Sequence, residues 1–91
     1  MNKREQRRQI EKELTERIAE TIVWQKKPYT AVKVWACYGK GNSVVRYVEI
    51  AFTKVCWPDK WNAEYGVELA TCKAIADISR RIVGNSEASS Q

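Results

Sequence analysis
Cys56-Trp57-Pro58-Asp59-Lys60-Trp61-Asn62-Ala63-Glu64-Tyr65-Gly66-Val67-Glu68-Leu69-Ala70 is the stretch in which extended patterning gives way to helical patterning. Pro58-Asp59 is a turn signal. Asn62 is a good N-cap type, and Glu64 falls in the first turn, where the positive end of the helix dipole favours an acid. Beyond it, Leu69, Cys72, Ile75, Ala76, Ile78, Ile82 and Val83 recur at helical spacing. They predict a helix over 62–83 with a wide apolar arc. Gly84 is a C-cap candidate, and the polar residues 85–91 read as a tail outside a domain spanning 1–84.

Upstream, residues 29–38 (Tyr-Thr-Ala-Val-Lys-Val-Trp-Ala-Cys-Tyr) are rich in β formers, and Gly39-Lys40-Gly41-Asn42 reads as a turn. Residues 43–56 form a second extended run with Val44, Val48, Ile50 and Phe52 at even positions. The run is long for one strand, so a bulge or break near Tyr47–Glu49 is expected, which would make three strands from two runs. Pairing Val34 with Val48 would set Lys33 opposite Glu49 and Trp35 opposite Tyr47. At the N-terminal end, Ile10, Leu14, Ile18 and Ile22 recur every four residues, which predicts an amphipathic helix over 5–25. In that reading Lys26-Lys27 favours the C-terminal end of the helix dipole and Pro28 stops the helix. The expected fold is α+β, a single small domain: N-terminal helix, antiparallel hairpin or three-stranded sheet, C-terminal helix.

A chain of 91 residues buries only roughly 60–65% of its unfolded surface, so the core is thin. The wide arc of the second helix and the aromatics of the outer sheet face therefore predict a homo-oligomer. The net charge is +5, spread along the chain apart from Lys3, Arg4, Arg7 and Arg8 at the start. Such a balance suits a phosphate-bearing partner and also simple solubility. Three separated Cys (Cys37, Cys56, Cys72) and no His give no zinc-site spacing. They fit buried free thiols in a reducing cytoplasm, the host's if the chain is phage-encoded. No apolar run is long enough to span a membrane.

No nucleophile–base pair, carboxylate dyad or phosphate-binding glycine loop is present, so the chain reads as a non-enzymatic protein without a cofactor. Four groups of residues remain as binding candidates. Trp57, Trp61 and Tyr65 either pack the turn or stack on a base, with Asn62 beside them. Trp35 and Tyr47 either make a subunit contact, pack under the N-terminal helix as a lid, or form a stacking platform. Arg80 and Arg81 suit the helix C-terminus and also suit phosphate. Arg4, Arg7, Arg8 and Lys12 form either a solvated helix end or a nucleic-acid arm.

The pattern Cys56-x-Pro58-Asp59-x-Trp61-Asn62, then Gly66, Leu69-Ala70 and Lys73-Ala74, resembles a group of small phage and bacterial proteins of mostly unknown function. The resemblance covers about residues 50–83. It implies an αβββα fold similar to double-stranded-RNA-binding domains, and no functional residue carries over from it. This chain has Trp61-Asn62 where the group has an aromatic-Asp pair. Duplex RNA is a poor fit, because Asp59, Glu64 and Glu68 stand against Lys60 where those domains place lysines. Two functional expectations follow. One is a binder of a nucleotide-sized anionic ligand through Trp57, Trp61, Asn62, Tyr65, Arg80 and Arg81, such as an anti-defence sponge for a cyclic nucleotide immune signal. The other is a nucleic-acid binder using Arg4, Arg7, Arg8 and Lys12, or an inhibitor of a host protein.

Overall fold
The computed structural model describes residues 2–54 and 62–89, with side chains through residue 84. Helix α1 (Lys3–Glu16) starts at Asn2, whose Oδ1 accepts the Glu5 N–H at 2.9 Å. It buries Ile10 and Leu14. Strands β1 (Ile18–Lys26), β2 (Tyr29–Tyr38) and β3 (Val45–Lys54) follow, then helix α2 (Ala63–Ser89). The three strands form one antiparallel sheet in the order β1-β2-β3. The expected helix–sheet–helix order is thus present, and β2 has the predicted bounds. Among the described residues no helix is long and apolar enough to cross a membrane.

The third strand comes from a different place than the sequence predicted. The helix ends at Glu16, and residues 18–26 are strand, not helix. Thr21-Ile22-Val23-Trp24 explains this, since consecutive β-branched and aromatic side chains crowd a helix and suit a pleated strand. A spacing of four is also an even spacing, so Ile18 and Ile22 satisfy both periods. Arg17 makes the switch abrupt: its side chain donates to the Gly39 carbonyl at 2.8 Å, and its own carbonyl accepts from Cys37 N–H. Lys26, Lys27 and Pro28 therefore lie at a hairpin end and not at a helix C-terminus. The Lys27-Pro28 peptide bond there is cis.

β3 runs from Val45 to Lys54 without the predicted break. Its register is one residue from the predicted one: Val34 pairs with Glu49, Trp35 with Val48 and Ala36 with Tyr47. A one-residue slip exchanges the two faces of a strand. The face against the helices is therefore built from Thr30, Val32, Val34, Ala36, Ala51 and Thr53, all buried. Tyr47 points to this inner side and packs against the core. Val48, Ile50 and Phe52 point outward and are exposed.

Both helices cover the inner face over β2 and β3, with Ala70, Ala74, Ile75, Ile78, Ile82 and Val83 of α2 in the core. Leu69 and Cys72, predicted on the apolar arc, are exposed, and Cys37 is only half-buried. The expectation of buried thiols fails at both, and Cys56 lies outside the described residues. α2 approaches the sheet at Gly66, where a Cβ would stand 2.6 Å from Thr30 Oγ1. It continues through Gly84 to Ser89, past the predicted cap, because extending a formed helix costs little where no proline intervenes.

Candidate functional site
The helices leave the other face of the sheet uncovered. Strand pairing places its side chains in rows. Lys26, Tyr29 and Lys54 share one row, Trp24, Ala31 and Phe52 the next, Ile22, Lys33 and Ile50 the third, and Glu20, Trp35 and Val48 the fourth. Phe52 is 69% exposed, Tyr29 54% and Trp24 51%. Isolated exposed hydrophobes are ordinary, but a face that gathers them in adjacent rows is a candidate binding surface.

Cations are interleaved with these rings. Lys33 Nζ lies 4.9 Å from the Trp35 ring centroid, and the Arg46 guanidinium lies 6.0 Å from the same ring on its approach from β3. Lys54 Nζ lies 5.6 Å from the Tyr29 centroid. Arg46 also reaches Glu20 at 3.9 Å, a solvent-exposed contact of little energetic weight. A shallow depression of about 710 Å³ runs between Trp24, Lys26, Tyr29, Ala31 and Phe52. Among the described residues the strands thus bring Lys26, Lys33, Arg46 and Lys54 to this face against Glu20.

Those of the residues picked out by sequence that are described are dispersed. Trp57 and Trp61 lie outside the described residues. Asn62 serves as the α2 N-cap, with Oδ1 accepting the Tyr65 N–H at 3.0 Å. Tyr65 is exposed on the first turn of α2. From Tyr65 to Arg80 along the helix is roughly 22 Å, so these two do not line one pocket within a protomer. Arg80 pairs with Asp77 at 2.8 Å. Arg81 donates to the Val48 carbonyl at 3.1 Å and to Glu49 Oε2 at 3.3 Å, which ties α2 to β3. Arg4, Arg8 and Lys12 are exposed along α1 and Arg7 is half-buried. Trp35 keeps its outward position, but Tyr47 is on the opposite face, so that pair forms no platform.

Sequence reading set Lys33 and Trp35 on one face but missed Trp24, Tyr29, Arg46, Phe52 and Lys54 as its other members. The signal was parity. Tyr29, Lys33 and Trp35 are all odd positions of one strand, and the same alternation carried across the true register collects the rest. No protein family, curated protein or solved structure matches this chain.

Proposed function
We propose that this protein is a non-enzymatic binder of single-stranded nucleic acid and that the open sheet face is its platform. The observation that carries the reading is the interleaving of Trp24, Tyr29, Trp35 and Phe52 with Lys26, Lys33, Arg46 and Lys54 on one uncovered face. Bases stack on exposed rings whatever their sequence, and cations beside the rings meet the phosphates. Lys33 and Arg46 lie over Trp35 on long flexible stems, so an arriving base displaces them toward the flanking phosphates.

Geometry favours a strand over a mononucleotide. Small ligands are held in concave pockets that bury most of their surface. This face is open, and one stacked base contributes only about 1–3 kcal/mol, so useful affinity needs several bases. Tyr29 to Trp35 spans roughly 20 Å along β2, which suits a site near the short end of the ~4–16 nucleotide range. Lys33 at the centre of the face argues for an anionic partner, because a flat apolar partner would strand its charge.

The test is fluorescence anisotropy of labelled oligouridine and oligothymidine. Submillimolar binding that weakens on Trp35→Ala and on Phe52→Ala, with folding intact, supports the reading. Binding lost on Arg7→Ala and Arg8→Ala but unchanged by the sheet variants would move the site to α1. Absence of binding would end the proposal.

A further inference from the structure
β1 is an edge strand, and every residue from Ala19 to Lys26 is exposed. No described element covers its outer edge, where alternate N–H and C=O groups point away from β2. Edges of this kind are usually blunted by proline, charge or a β-bulge; β1 carries its bulge between Ile18 and Glu20 and its charges at Glu20 and Lys26, while Thr21-Ile22-Val23-Trp24-Gln25 between them has none of these. We infer that β1 pairs antiparallel with β1 of a second copy, about a twofold axis at Val23, to make a continuous six-stranded sheet.

The choice of a second copy rests on self-complementarity. With the axis at Val23, Glu20 of one copy lies opposite Lys26 of the other, twice by symmetry. Ile22 lies opposite Trp24, Thr21 opposite Gln25, and Val23 opposite itself. The Glu20–Lys26 and Ile22–Trp24 pairs are of favourable cross-strand types, and every pair keeps residues of the same sheet face together. With the axis at Ile22, Glu20 would face Trp24 and Lys26 would face Ile18. With the axis at Trp24, Lys26 would face Ile22 and Glu20 would have only Pro28. Only the Val23 axis matches the two charges. Stacking two copies face to face instead would bring Lys33 of each toward the other across a buried apolar layer. The edge, and not the face, is the self-association surface, so the aromatic face stays open and doubles in width.

Sedimentation equilibrium of the protein without nucleic acid tests this, and its outcome does not depend on whether nucleic acid binds. The wild type is expected at twice the 10.5 kDa chain mass. Glu20→Lys and Lys26→Glu should each weaken the dimer about tenfold or more, since each turns two attractive pairs into repulsive ones. An equimolar mixture of the two variants, and the double variant, should both regain the wild-type mass. A monomeric wild type at high micromolar concentration would overturn the inference. So would a dimer indifferent to both single changes, or single defects that the mixture fails to repair.

Discussion

At the scale of single residues, Gly66 and Arg81 hold α2 to the sheet. Gly66 lies between two threonines: a Cβ there would meet Thr30 Oγ1 at 2.6 Å, and Thr53 Oγ1 donates to the Gly66 carbonyl at 3.4 Å. Gly→Ala within a helix gains about 1 kcal/mol in propensity, while overpacking a core costs about 1–3 kcal/mol. Gly66→Ala is therefore expected to lower the urea midpoint at unchanged slope, and Thr30→Ala in the same chain to recover part of the loss. Arg81 was a ligand candidate by composition, because a C-terminal arginine suits both a dipole and a phosphate. Its contacts to Glu49 and to the Val48 carbonyl tie α2 to β3. Arg81→Ala should cost about 1 kcal/mol of stability and leave oligonucleotide affinity unchanged. Loss of binding without loss of stability would restore it as a ligand residue.

At the scale of elements, β1 decides how much of the fold was legible. The hairpin turn and the start of α2 could be read because glycine, asparagine and capping chemistry act locally. β1 could not, because Ile10, Leu14, Ile18 and Ile22 fit a helical stripe as well as an even-numbered strand face. A bulge between Ile18 and Glu20 hides the truth further. It lets Ile18 join the core while Ile22, of the same parity, points outward. The register of β3 was missed for a related reason. Val48, Ile50 and Phe52 are the apolar set, and burying them is the default, yet the core takes Ala51 and Thr53 so that Gly66 can approach. The outer face, with Val48, Ile50 and Phe52 exposed, departs from that default. If β1 is a self-pairing edge, alternate amides between Thr21 and Gln25 should exchange slowly at high protein concentration and quickly on dilution. Exchange independent of concentration would contradict it.

At the scale of the whole molecule, two helices on one side of a three-stranded sheet leave a face that is apolar, aromatic and cationic together. A fully apolar face would suit another protein surface, and a purely cationic one would suit the outside of a duplex. The mixture suits unpaired bases joined by phosphates. Four cations on the face predict that log affinity falls with log salt at a slope of about −2 to −3, with Lys33→Ala making it shallower by roughly 0.7. A flat salt response would remove the phosphate component. The most direct measurement is the amide chemical-shift footprint of a short oligouridine on the labelled protein. The predicted shifts gather on Ala31, Lys33, Trp35, Val48, Ile50 and Phe52, with α1 and α2 unmoved. Shifts confined to Arg4, Arg7, Arg8 and Lys12, or no shifts at saturating oligonucleotide, would contradict the assignment of the sheet face as the binding platform.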